Sequence, residues 1–571
     1  MAHPKGTARS STWCLTVSLW AGLPALTGAV PVLEQLHPPA IQAGTTREIT
    51  AVGKFDPWPT ATWVSGDGLR VEALEEKGRL RVTVATNAVP GPRLLRFFNG
   101  EGASAPRFLL VGGDPQTDEL EPNDDFRNPQ VVATLPASVN GRLEKNGDVD
   151  VLAVELAAGQ TLVAAVEAHV WMSPVDAVLR LVGPDGNQAA WNHDDGRTLD
   201  PFLAFTAPRS GRYGVQVFGF PHPADSDIRF TGNARCVYRL LLTTGPAISH
   251  TWPLGVRRGV TNRVRIDGWN LPNTMPKELI VDGAALAEIV VRTEWRPPGF
   301  HLPFELAVGD GEEEIESEPN DLAAVAGRLR IPGAVTGDLN AKWDHDRFRF
   351  EAKKGERLRL AVKAAAFGFP LDAWLAVEGP DGKELVRQDD SVGSDPAIEW
   401  TAPSDGAFVA VVGSLLQKGG DSLRYRFEAI RSRPGFKATV TEDVFSIAPG
   451  ATNEIKVVLT RSGGFEAPIR LTAEGLPQGI RAAVAEAGPK ESEAVLRLVA
   501  AADANPTNGT FRIVVAGGDP ELRVAALHEL VSSGENNGVP QGFRRLKIEA
   551  VEDLWLTVTQ PPPAKDGAKK P

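Results

Sequence analysis

The chain has 571 residues, enough for four or five domains that each bury a core, and carries a net charge of −12 with nine histidines and two cysteines. This acid excess argues against nucleic acid as a partner. Its 57 glycines and 45 prolines beside three methionines, with almost no sustained helical periodicity, exclude a helical protein in favour of an all-β, turn-rich one.

The chain opens with Lys5 and Arg9, then a modest apolar run from Trp13 to Leu26, then the small residues Thr27-Gly28-Ala29. Residues 1–29 are expected to be a signal peptide, so that the mature chain is exported to the extracellular space, the periplasm or the cell surface. The competing reading is a disordered start of a cytosolic protein. The run is too short for a membrane span, and no other stretch reaches the roughly 18 to 20 apolar residues that one needs. Loss of the leader removes two basic residues and no acid and takes the charge to −14. Cys14 lies ahead of the apolar run, poorly placed for lipid modification, and leaves with the leader. Cys236, expected as a core thiol, is then the sole cysteine, no internal disulfide is possible, and metal clamps become useful to an exported β-protein.

Residues 30–113 and 246–312 are two copies of one small domain. Pro38, Gly44 and Gly53 stand at the same intervals as Pro253, Gly259 and Gly268, with Ile49 and Ala51 matching Val264 and Ile266 in apolar alternation. The pattern resembles the immunoglobulin-like transcription-factor (IPT/TIG-type) fold, which implies small sandwiches that mostly act as spacers. Trp58, Trp63, Trp252, Trp269 and Trp295 are core residues or, alternatively, a face on which sugar rings stack.

Residues 114–245 and 313–431 are copies of a second, larger domain. Glu119-Leu120-Glu121-Pro122-Asn123-Asp124 returns as Glu316-Ser317-Glu318-Pro319-Asn320-Asp321. Asp148-Val149-Asp150 returns as Asp344-His345-Asp346, followed in order by Val175-Asp176-Ala177 against Leu371-Asp372-Ala373, Gly-Pro-Asp-Gly turns from Gly183 and Gly379, Asp194-Asp195 against Asp389-Asp390, and Thr206-Ala207-Pro208 against Thr401-Ala402-Pro403. Matching on this scale means duplicated domains. By strand alternation Asp344 and Asp346 share a face with Phe348 and Phe350, as Asp148 and Asp150 do with Leu152 and Val154, whereas His345 projects to the other, solvated side. Paired carboxylates at the lip of an apolar face are costly unless a cation or strong donors compensate them. The acidic strips supply further oxygen donors, and a set of hard oxygens without cysteine suits Ca²⁺. The alternative is structural: a solvated Pro-Asn-Asp turn and a strand-start cap satisfied by backbone amides. Asp194-Asp195 and Asp389-Asp390 are read as polar turns, or as additions to a ligand site.

The two strips, the Asp-x-Asp strand starts, the Pro-Asp-Gly hairpins and the Ala-Pro-x-x-Gly entries at Gly211 and Gly406 resemble the bacterial pre-peptidase C-terminal domain, the family that includes the collagen-binding domains of clostridial collagenases. The resemblance covers under half of the chain. It implies a jelly-roll-like β-sandwich that is secreted, non-catalytic and often calcium-stabilised. Carried over, the ligands would be Glu119, Glu121, Asn123, Asp124 and Asp150 in the first copy and Glu316, Glu318, Asn320, Asp321 and Asp346 in the second. Asp148 and Asp344 join each set only if the variable spacing of this turn permits. Collagen binding does not carry over, because Phe218 faces Gly413 at the like position.

The acidic link from Asp310 to Glu318 is expected to be partly solvated. Residues 432–560 read as a fifth domain, an immunoglobulin-like sandwich, on runs such as Asn453 to Thr460 and Thr510 to Val515. Ala525 to Ser533 fits a short helix or a strand, and residues 561–571 a disordered tail. Nucleophile elbow, phosphate loop and dinucleotide glycine fingerprint are all missing, and His528-Glu529 lacks a second histidine for zinc-protease chemistry. The expectation is a non-enzymatic, calcium-binding, multi-domain surface protein that adheres to or binds an extracellular polysaccharide or matrix protein. The alternatives are an accessory component of a secreted hydrolase and a structural envelope protein.

Overall fold

Alternation of apolar and polar residues builds most elements of this chain. In Glu493–Ala500 every second side chain is buried, and Arg79–Val84 repeats the pattern, as half-buried strands require. The computed structural model describes residues 28–195, 198–224, 226, 229–272, 278–282, 290–293, 299–391, 394–533 and 545–560. Nearly all of the leader, Trp295 and the 561–571 tail lie outside them. Among the described residues the protein is all-β, a series of β-sandwiches with two short 3₁₀ turns, and no helix is long and apolar enough to cross a membrane.

The first sandwich packs a sheet ordered Val32–His37, Thr46–Lys54, Arg79–Val84, Leu69–Ala73 against one ordered Ala40–Gln42, Arg107–Gly112, Gly91–Phe98, Ala61–Val64. The second small sandwich repeats its beginning, and the repeat explains the shared Pro-Gly-Gly pattern. Gly44 and Gly259 turn with φ of 79° and 72°. Gly53 and Gly268 lie opposite matching bulges, where a Cβ would fall 1.9 Å from the Val32 carbonyl oxygen or 2.0 Å from that of Ala247.

The two larger sandwiches have identical topology. One sheet runs Gln130–Val131, Asp150–Leu156, Gly211–Pro221, Val175–Val182, Gln188–Asn192, and its counterpart Gly327–Arg328, His345–Ala352, Gly406–Ser414, Ala373–Glu378, Glu384–Gln388. The facing sheet runs Phe202–Thr206, Thr161–Glu167, Val237–Thr243, Ala137–Arg142, Gln116–Asp118, with the same order in the other copy from Ala397–Thr401 to Glu312–Ile315. Cys236 is buried in the first of these cores.

The structure decides several expectations. The acidic link is partly solvated, with Asp310, Glu312, Ile315, Ser317 and Glu318 exposed and its end in the second acidic cluster, and it is also structured: Glu312–Ile315 pairs in parallel with Gly333–Asp338, and Glu313 makes a buried ion pair with Arg426 at 2.6 Å. Pairing satisfies the backbone, and the guanidinium supplies the charge that solvent would otherwise have provided. Of the two readings of Ala525 to Ser533 the strand holds, as part of Leu522–Ser533. His345 is half-buried, edge-on to Trp374 at 5.1 Å. The described tryptophans share no sugar-binding face. Trp58 donates to the Leu74 carbonyl at 2.7 Å, Trp252 is buried and donates to Asp267, and Trp269 packs on Phe202 at 5.2 Å.

Trp63 takes part in a contact between distant parts of the chain. The C-terminal sandwich folds back on the first, so that the Arg96 guanidinium lies 5.4 Å from the Trp63 ring and 5.5 Å from Trp555 while Arg96 bonds Asp443 at 2.8 Å. Leu530 joins Leu94, Phe108 and Trp171 in one apolar cluster from three sandwiches.

Candidate metal centres

At one end of each larger sandwich the acidic strip crosses from one sheet to the other. In the first copy the Glu119 amide donates to the Asn140 carbonyl, and the Val151 amide on the facing sheet donates to the Asn123 carbonyl at 3.1 Å. In the second copy the Glu316 amide donates to Thr336 at 3.0 Å. Glu121-Pro122 and Glu318-Pro319 are both cis, and the glutamates accept the Asn123 and Asn320 amides at 3.0 and 2.8 Å.

The strip is thereby laid over the Asp-x-Asp strand start. In the first copy Glu121, Asp124, Asp148 and Asp150 each offer an oxygen within 4.8 Å of the others. In the second Glu316, Glu318 and Asp346 do so. Asp321 and Asp344 face each other beside this group, at a cavity of about 500 Å³ lined also by Pro319, Asn340 and Trp343. Asn123 and Asn320 are 1% and 0% exposed, and neither side-chain oxygen has a hydrogen-bond partner. The same is true of the Oδ1 atoms of Asp150 and Asp346, both 0% exposed, and of Asp148 Oδ1. Buried oxygens without donors are costly, and those of the asparagine and the inner aspartate recur at the same places in both copies. The cap alternative accounts for one oxygen of each outer aspartate only: Asp148 Oδ2 accepts the Glu144 amide and Asp344 Oδ2 that of Asn340.

Glu119 and Glu316 sit deeper. Tyr238 is fully buried and its hydroxyl lies 2.7 Å from Asp150 and 2.9 Å from Glu119, as Tyr425 lies 2.5 Å from Asp346 and 3.2 Å from Glu316. Reasoning from the strips alone missed these tyrosines, although two of the chain's three tyrosines fall at matching places in the copies. Gly141 and Gly337 were missed too. A Cβ at Gly337 would lie 2.5 Å from both Glu316 Oε2 and Tyr425 Oη. Gly337→Ala is therefore expected to cost about 1–3 kcal/mol and to weaken metal uptake by the second copy, read by thermal melting and metal titration.

Burial raises every inner acid. Glu119 and Glu316 are pushed up to about 7, and Asp148 and Asp344 to about 6. Asp150 and Asp346 go higher still, through burial and then the neighbouring glutamate. The copies differ in one charge. Lys145 bonds Asp124 at 2.8 Å and lies 3.7 Å from Asp148, holding Asp124 below its ordinary value, whereas Ala341 takes that place in the second copy. Both clusters are thus oxygen-only groups able to hold a metal ion, and among the described residues no lysine makes an ion pair with the acids of the second, although Lys342 and Arg347 line its cavity.

The Asp-Asp turns need a corrected alignment. Strand register pairs Leu179 with Asn192 and Leu375 with Gln388, so His193 and Asp194, rather than Asp194 and Asp195, match Asp389 and Asp390.

No family model matches the chain, and no curated protein matches it. Among solved structures, the pre-peptidase C-terminal domain of a collagenase from Bacillus anthracis aligns at 11% identity over 20% of this chain and 99% of that one, with a TM-score of 0.16. The N-terminal eight Ig domains of Down syndrome cell adhesion molecule align at 10% identity over 93% and 74%, TM-score 0.13. The S-layer protein rSbsC aligns at 11% identity over 89% and 55%, TM-score 0.13. Likenesses this low carry no argument, and the fold stands on its strand pairings.

Proposed function

We propose that the chain is an exported, non-catalytic surface protein whose two larger sandwiches bind Ca²⁺, and that it adheres to or binds an extracellular polysaccharide or matrix protein. The observation that carries the calcium reading is the repeated set of buried, donorless oxygens on Asn123 and Asp150 and on Asn320 and Asp346. These are hard oxygen donors, the ligand set that Ca²⁺ takes and that softer ions do not prefer. A bound cation would supply the positive charge that compensates these acids. The chain's own contribution is placement: the strip bridges the two sheets, the tyrosine fixes the inner Glu-Asp pair, and the incoming strand Gln116–Asp118 or Glu312–Ile315 is thereby tied to the sandwich it enters.

Calcium titration of the full chain is expected to give two sites, the tighter in the second copy because Lys145 competes only in the first. Asp346→Ala should remove one site and leave the other within about twofold. Equal loss at both sites would rule out independent modules. The ligand reading is tested by a glycan and matrix-protein binding screen in calcium and in chelator, and cleavage of any polymer by the purified chain would replace it with a hydrolytic role.

A further inference from the structure

We infer that the first larger sandwich carries a second metal site of different chemistry, for a divalent transition ion of the zinc type, built on Asp176, His193 and Asp194 with His169 behind them. It rests on residues separate from the calcium reading and stands or falls alone.

Asp176 starts the strand Val175–Val182, while His193 and Asp194 follow its hairpin partner Gln188–Asn192. One donor atom from each of the three lies within 4.8 Å of the others. His193 Nε2 and Asp176 Oδ1 form an ion pair at 3.2 Å, and Asp194 Oδ1 beside them has no hydrogen-bond partner.

His169 provides an independent observation. Its side chain is 0% exposed and neither ring nitrogen has a partner, an arrangement that costs free energy unless something is bound there. It is held firmly: the Asp200 carboxylate accepts the Ala168, His169 and Val170 amides at 2.9, 2.7 and 3.1 Å, fixing the 3₁₀ turn that carries it. Its ring stands edge-on to His222 at 4.9 Å, and the Asp176 carboxylate is the charge that acts on both imidazoles.

The second copy is an internal comparison. Asp395 caps its matching turn at Ala364, Ala365 and Ala366, so the scaffold is the same, but Ala365 replaces His169 and Asp389 replaces His193. The imidazoles belong to the first copy alone. Mixed imidazole and carboxylate donors suit zinc and its neighbours, whereas the acidic clusters suit calcium.

The test titrates the full chain with zinc against a chromophoric chelator in saturating calcium, which occupies the acidic clusters. One zinc per chain is expected, with affinity lowered at least tenfold by His193→Ala and by Asp194→Ala and unchanged by Asp372→Ala in the second copy. Cobalt in place of zinc should give a visible absorption band that His193→Ala abolishes. Circular dichroism checks each variant, and Asp194→Ala decides if His193→Ala does not fold. Zinc uptake equal in wild type and both variants would be adventitious and would overturn the site. Wild-type affinity in His169→Ala would overturn the part given to His169.

Discussion

Chelating calcium at pH 8 is expected to lower the melting temperature by several degrees, and the same treatment at pH 5 by much less. The inner acids are the cause. Glu119 and Glu316 rise from 4.5 to about 7 in the fold, and Asp150 and Asp346 rise further, so without a cation the folded chain binds protons that the unfolded chain has released. Stability of the calcium-free fold is therefore highest below the unfolded values and falls as pH climbs through the folded ones. At pH 5 protons neutralise these inner acids, and calcium has to displace them. At pH 8 Glu119 and Glu316 have lost theirs, and calcium is the remaining source of compensation for them. Calcium a hundredfold above its Kd contributes about 2.7 kcal/mol per site, which moves the melting of a sandwich this size by several degrees. Scanning calorimetry with and without chelator at both pH values measures the difference. An equal shift at pH 5 and pH 8 would detach the acids from the stabilisation, and no shift at either would remove the clamp.

Arg96→Ala is expected to destabilise the contact between the first and last sandwiches by roughly 3–5 kcal/mol, the usual cost of leaving one partner of a buried ion pair alone. Arg96 is 1% exposed, bonds Asp443 across the interface and lies between two indole rings. Removing it strands the carboxylate and uncovers the Trp63 and Trp555 rings, which pack edge-on at 6.1 Å. Replacing both partners together, as in Arg96→Met with Asp443→Leu, removes the uncompensated charge and should recover most of the loss. Denaturant unfolding and limited proteolysis of the linker from Ser432 to Pro434 report it. If single and double variants unfold alike, the packing of apolar residues such as Leu530 and Phe108, rather than the ion pair, holds the ends together.

Much of the acidic end of each larger sandwich was legible because strand alternation has a fixed period. Asp148 and Asp150, or Asp344 and Asp346, had to share the buried face of the residues that follow them, whatever the rest of the fold did. The strips were legible for a different reason, since their recurrence marks a segment with one structural task. Tyr238 and Tyr425 were harder to see because each is more than a hundred residues from the glutamate it bonds. No local pattern connects them; only the closing of the second sheet does. The same holds for Lys145, whose side chain reaches Asp124 through a turn whose shape the sequence does not state, and for Asp200 and Asp395, which resemble ordinary loop acids until three amides converge on each. The core reading of the tryptophans holds for a related reason: Trp58, Trp63, Trp252 and Trp269 each have a separate partner rather than a common surface.

From its sequence by itself, this protein is an all-β chain of repeated domains with acids facing inward at two duplicated strand starts. Those properties follow from periodicity and repetition, which act over a few residues or over whole copies. The tertiary structure alone decided that the last sandwich returns to the first, that a tyrosine sits beneath each acid pair, and that three imidazoles gather around Asp176 in one copy only. Such meetings depend on which sheet edges and turns come together, and that is fixed by the packing of cores rather than by any pattern along the chain.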